Sequence, residues 1–201
     1  MNNIKLLLIL LLLSGCTASV SYYNPTGPGT LYGNCNTPLN LLRFEVSDGV
    51  FFSMRAFPQK DKPGIYVSGE VEVPKGRVAQ LTSSEFKFVS LIGNGSAIEN
   101  LKEIKSHYAK RDESGKVVSV EERRFDAVDA LIGDTLHESG FWGSINGTYS
   151  QRFFYSMSVT DFSEKSFRVY PPDILINQKS YQISSIDFNL ITKTIFLSPC
   201  P

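Results

Sequence analysis

The stretch Tyr149-Ser150-Gln151-Arg152-Phe153-Phe154-Tyr155-Ser156-Met157-Ser158-Val159-Thr160 decides how the rest of the chain is read. Tyr149, Gln151, Phe153, Tyr155, Met157 and Val159 share one parity. Ser150, Arg152, Ser156, Ser158 and Thr160 share the other, where Phe154 is the one large apolar side chain. Side chains of a pleated strand alternate between faces, so period two predicts a long strand with one buried and one polar face.

Working outward, the same period recurs. Ile65, Val67, Val71 and Val73 alternate with Tyr66, Ser68, Glu70 and Glu72, and Pro74-Lys75-Gly76 ends that strand as a turn. Residues 50–57 and 86–91 are aromatic and β-branched runs of strand length. Further runs cover 167–170, 174–176, 186–188 and 194–197, and Asn177-Gln178 predicts a hairpin with a four-residue loop ahead of 181–183. About eight to ten short strands with turn signals between them predict a mainly β protein. The expected fold is an immunoglobulin-like β-sandwich, with a small β-barrel as the alternative.

Residues 94–140 break the pattern and read as a partly helical insertion. Ser96-Ala97-Ile98-Glu99 and Ser119-Val120-Glu121-Glu122 have the form of capping boxes. Ile98, Leu101, Ile104 and Tyr108 follow the first at helical spacing; Phe125, Val128, Leu131 and Ile132 follow the second. A helix is expected over 122–132, while 97–109 stays open. The rival reading is a charged hairpin pairing 104–111 with 117–124 across the turn at Asp112-Glu113-Ser114-Gly115-Lys116.

The N-terminus speaks to address. Lys5 precedes an unbroken run of Leu and Ile from Leu6 to Leu13, followed by small residues: the layout of a secretory signal, too short to span a bilayer as a helix. Leu13-Ser14-Gly15-Cys16 resembles the lipobox of bacterial lipoproteins. The resemblance implies removal of residues 1–15, a diacylglycerol on the Cys16 sulfur with further acyl chains such as palmitate, and a cell-envelope location on the membrane. Thr17, where an Asp would imply inner-membrane retention, implies the outer membrane in a Gram-negative host. Residues 16–34, rich in Ser, Tyr, Thr, Pro and Gly, read as the lipidated Cys plus a flexible tether. The exposed pair Tyr22-Tyr23 would then be free to rest on the membrane interface. The folded domain is expected over 35–201.

Cys35 and Cys200 remain after Cys16. An even pair in an exported chain predicts one disulfide, and closing so long a loop would contribute about 4–5 kcal/mol in the chain-entropy model. Lys plus Arg and Asp plus Glu number 20 each, and Lys5 leaves with the signal. The balance predicts no nucleic-acid partner.

Chemistry-bearing patterns are sparse. His107 lies near Glu103 and Lys105; His137 lies near Asp126, Asp129, Asp134 and Glu138, but neither has the spacing of a metal site. Ser84-Glu85-Phe86-Lys87 matches SxxK without its partner motifs. Asn94-Gly95 and Asn146-Gly147 read as turns. Gly140-Phe141-Trp142 and Thr160-Asp161-Phe162 resemble the GxW and TDY-like motifs of lipocalins. Here they lie close together, where that family places most of a barrel between them. No catalytic residue, cofactor or metal is expected. The leading expectation is a lipid-anchored, non-enzymatic interaction module for another envelope protein, with 94–140 as its contact surface. A lipocalin-like small-ligand binder and an envelope-polymer hydrolase are the alternatives.

Overall fold

The computed structural model describes residues 17–33, 40–114, 116–133 and 150–196. Among them there are sixteen strands and no helix: β1 (Thr17–Thr26), β2 (Thr30–Tyr32), β3 (Leu41–Ser47), β4 (Val50–Pro58), β5 (Gly64–Pro74), β6 (Val78–Leu81), β7 (Glu85–Ser90), β8 (Ser96–Asn100), β9 (Glu103–Arg111), β10 (Val117–Asp126), β11 (Leu131–Ile132), β12 (Ser150–Thr160), β13 (Ser166–Tyr170), β14 (Ile174–Ile176), β15 (Lys179–Tyr181) and β16 (Ile186–Phe196). The protein is mainly β.

β12 is the strand that its alternation predicts. It pairs antiparallel with β5 along its whole length, from Ser150 opposite Pro74 to Thr160 opposite Gly64. The apolar parities of both strands share one face, where Phe153, Val159, Ile65, Val67, Val71 and Val73 are almost wholly buried. This pair lies within a twelve-stranded sheet ordered β10-β9-β12-β5-β4-β1-β16-β13-β7-β8, with β3 and β2 branching from β4. A smaller sheet, β11-β6-β14-β15, adds Ala79, Leu81, Leu131, Ile174 and Ile176 to the same core.

β7 and β12 are far apart in the strand order, yet Phe86 on β7 lies 5.8 Å from Tyr155 on β12, ring centre to ring centre. The long sheet therefore curls back over its own apolar face. The enclosed aromatics interlock: Phe52 stacks on Tyr155 at 5.6 Å, Phe167 on Phe188 at 5.3 Å, and Phe162 meets Phe167 edge-on at 5.6 Å. Offset and edge-on contacts are the favoured geometries for such rings. Both sheets remain open, so the small barrel is not what the described residues form.

Three local expectations are corrected. First, the partly helical insertion is not seen among the described residues of 94–140. β9 and β10 form a hairpin, with Ile104 opposite Phe125 and Glu122 opposite His107, as the rival reading had it. Buried Ile104, Ser106 and Tyr108 have period two, and Ser106 hid that period because it is polar. Its hydroxyl donates to the Arg152 carbonyl at 2.6 Å, which is how a Ser occupies a core position. Asp112 builds the turn by accepting from the Ser114 and Lys116 amides at 2.9 and 3.0 Å. Cross-strand pairing outweighs the helix propensity of Glu and Arg.

Second, residues 17–34 are not wholly a tether. Thr17–Thr26 is β1, paired in unbroken register with β16. Tyr22 and Tyr23 are 5% and 2% exposed, so neither is free to lie on a membrane. Thr and Tyr favour strands, and a long partner was enough to order a polar sequence. Third, the hairpin at Asn177-Gln178 has a two-residue turn: Ile176 pairs with Lys179, and both turn residues have positive φ, 49° and 71°. These are the left-handed backbone conformations of a primed turn, which Asn tolerates.

Candidate functional site

The face of β5 and β12 opposite the core is not flat. It floors an open cleft of about 1010 Å³ that reaches from β3 across β4, β5 and β12 to β9. Strand register sets its rows. Arg152, Glu72 and Phe51 lie side by side; next come Phe154, Glu70, Ser53 and Arg43; then Ser156, Ser68 and Arg55; then Ser158, Tyr66 and Phe57. The small serines make the depression, and the aromatic and charged side chains around them make its rim. Tyr66 and Phe154 are 40% and 38% exposed.

At one end, Arg43 grips Glu72 with two parallel bonds, Nε to Oε1 and Nη2 to Oε2, each 2.9 Å. The side chains are only 10% and 7% exposed, and the guanidinium lies 3.6 Å above the Phe51 ring centre. Planar, bidentate and stacked, this geometry is one that Lys could not reproduce. The Ser150 hydroxyl donates to Glu72 Oε2 at 3.4 Å.

Glu70 and Glu72 project from the same face of β5 and titrate apart. Burial pushes Glu70 up to about 7, and the neighbouring Glu72 carboxylate adds to the rise against the pull of Arg152 and Arg43. Burial also acts to raise Glu72, but the Arg43 guanidinium, helped by Arg152 and Glu70, outweighs it and holds Glu72 below the usual carboxylate range. The two neighbouring carboxyl groups are thus pushed in opposite directions, Glu70 toward keeping its proton and Glu72 toward keeping its charge.

Gly69 shapes the underside. A Cβ there would lie 1.9 Å from the Ser53 carbonyl oxygen and 2.4 Å from the Tyr155 hydroxyl. The bare backbone lets Tyr155 cross β5 and donate to the Ser53 carbonyl at 2.7 Å. Burial raises the Tyr155 phenol well above its ordinary range, so it stays a donor. Elsewhere in the cleft, Arg55 Nε donates to Ser68 Oγ at 3.1 Å. Asn40, which lines the cleft and is 3% exposed, has no hydrogen-bond partner for its Nδ2 among the described residues.

Few residues singled out from the sequence come to this place. His107 lies on β9 with its ring 5.8 Å from Phe154, and Lys105 beside it bridges Glu103 and Glu122 at 3.3 and 3.4 Å. Asp126 and Asp129 close a turn, the Asp126 amide donating to Asp129 Oδ2 at 2.8 Å. Ser84 donates to Asn100 at 3.0 Å and Lys87 lies within β7, so SxxK is no catalytic pair. Cys16, Cys35, Cys200, Asp134, His137, Glu138 and Trp142 lie outside the described residues. Among the described residues no group of His, Cys, Asp or Glu could hold a metal ion.

Sequence reasoning passed over Glu70, Glu72, Arg43 and Arg152. Alternation put both acids on the polar face of a strand, which was read as solvated. The available signal was the pair of acids at i and i+2 with an arginine on the polar face of the other long strand. No family model matches this chain, and neither a curated protein nor a solved structure matches it.

Proposed function

We propose that the chain is a lipid-anchored cell-envelope protein whose body, an immunoglobulin-like β-sandwich, is a non-enzymatic binding module. In this reading the cleft across β3, β4, β5, β12 and β9 recognises another component of the envelope. The lipobox-like Leu13-Ser14-Gly15-Cys16 supports the anchor, and an acylated Cys16 would adjoin β1 directly, since β1 begins at Thr17. Such an anchor holds the body close to the membrane, likewise the expected Cys35–Cys200 bridge would tie together the chain's ends. The curl that brings Phe86 onto Tyr155 supports a sandwich.

The observation that carries the binding reading is the cleft itself. A wide, polar, serine-floored depression with a desolvated Arg43–Glu72 pair is costly to build and contributes little to stability on its own. The acids favour binding over hydrolysis. A glycosidase needs its two carboxyl groups about 5–9.5 Å apart to straddle the bond. Glu70 and Glu72 instead sit two residues apart on one face of β5, and Glu72 is held by Arg43. A lipocalin-like binder would enclose its ligand inside a barrel, whereas here the interior is filled by interlocked rings and the cleft is external.

Two measurements test this. Metabolic labelling with palmitate should mark the wild type and not Cys16→Ser; equal labelling removes the anchor. A photo-crosslinking side chain at Ser156 should capture an envelope component in cells, while one at Val118 on β10 should not. Capture only from Val118 would move recognition from the cleft to the hairpin.

A further inference from the structure

We infer that the cleft binds a polyhydroxylated ligand, an oligosaccharide segment of an envelope glycan, seated over Ser68, Ser156 and Ser158 between the rings of Tyr66 and Phe154. This rests on the cleft being the recognition surface and adds the ligand's chemical class.

The inference follows from what the cleft offers and from what it lacks. Donors and acceptors mix along it: the Asn40 amide, the guanidinium groups of Arg55 and Arg152, three serine hydroxyls and the Glu70 carboxyl. Vicinal hydroxyl groups, each donor and acceptor at once, match such a mixed array. Asn40 adds a second, independent observation. A buried amide donor with no acceptor is costly, and a ligand oxygen would satisfy it once the amide turns toward the cleft. The exposed rings of Tyr66 and Phe154 offer flat apolar surface to the C–H faces of a sugar. Arg152 to Ser158 spans six residues of strand, about 20 Å, room for an extended chain.

Other classes fit less well. The five cations Arg43, Arg55, Arg152, Lys102 and Lys105 stand against the four acids Glu70, Glu72, Glu99 and Glu103, and an excess of one, or two with Glu70 protonated, is small for a polyanion. An apolar tail would bury charges and hydroxyls without partners. An added peptide strand needs an open sheet edge, and β4, β5 and β12 are paired on both sides.

The test uses the full mature chain carrying Cys16→Ser, followed by backbone NMR during titration to about 10 mM with tetra-N-acetylchitotetraose, cellotetraose and maltotetraose in turn. At least one should shift the amides of Tyr66, Ser68, Phe154 and Ser156 saturably. Phe154→Ala and Tyr66→Ala, both exposed, should keep the thermal midpoint and weaken that binding about tenfold or more. Asn40→Ala should weaken it too, and Val118→Ser on the hairpin should leave it unchanged. No saturable shift in the cleft with any of the three sugars overturns the inference. So does binding that survives both aromatic substitutions. If crosslinking at Ser156 captures a protein while the sugars fail, the ligand class falls and the recognition surface stands; if both fail, both fall.

Discussion

Two regions carry the same residue types to opposite ends. On the cleft face, Arg43 and Glu72 meet in a nearly dry, bidentate, ring-stacked pair. On the β9–β10 hairpin, Arg124 meets Glu122 at 3.1 Å and Glu103 at 3.5 Å, but the Arg124 side chain is 63% exposed. Coulomb attraction is weak and screened in water, and the hairpin pairs spend side-chain entropy for little return. In the cleft, desolvation makes each charge dependent on its partner. What separates the regions is access to water, not charge count.

The largest effect should come from cutting the cleft pair. Arg43→Ala leaves Glu72 buried and unpaired, and should lower stability by about 3–5 kcal/mol in urea unfolding near neutral pH. A loss as small as that of a surface pair would show that water reaches Glu72 and would erase the contrast.

Next is the floor. Gly69→Ala drives a Cβ into the Ser53 carbonyl and the Tyr155 hydroxyl, and should cost about 2–3 kcal/mol by the same measurement. A neutral outcome would mean that β4 and β5 separate easily beneath the cleft.

A pH series sharpens the comparison further. Glu70 has a folded pKa of about 7 against 4.5 for the ordinary carboxyl. The folded state holds the extra proton, so this contribution is complete below about 4.5 and lost as pH rises through about 7. Glu72 is lowered, so its contribution is present above about 4.5 and lost as pH falls below its folded value. Stability should therefore peak between them. Glu70→Gln should unfold like the wild type at about pH 4.5, and be more stable by on the order of 1–3 kcal/mol at about pH 8.5. Identical pH profiles for the two would place Glu70 in water.

The smallest effect should be on the hairpin. Arg124→Ala should change stability by less than about 1 kcal/mol, and by less still in high salt. A larger, salt-insensitive loss would mean that the hairpin is covered in the intact protein.

Legibility followed the same divide. β12 and β5 were readable because one face of each is apolar and the period is two, and β4 and β7 because they are aromatic and β-branched runs of strand length. β9 was not, because Ser106 fills a core position through a hydrogen bond to a strand distant in sequence. β1 was missed because its ordering comes from β16, at the other end of the chain. Of the cleft, the alternation already assigned Tyr66, Ser68, Glu70, Glu72 and Ser156 to a polar face. Nothing local marked which part of that face would lose its water.

By itself, then, the sequence determined that the protein is mainly β, where its longest strands run and which of their side chains face inward, because burial of alternate apolar residues is a local pattern. Only the tertiary structure decided that residues 103–126 are a hairpin, that β1 belongs to the central sheet, and that Arg43 and Glu72 meet across β3, β4 and β5 as a nearly dry pair at one end of an open cleft. Those outcomes depend on which strands become neighbours and on how far the sheet curls, and both are set by contacts between residues remote in the chain.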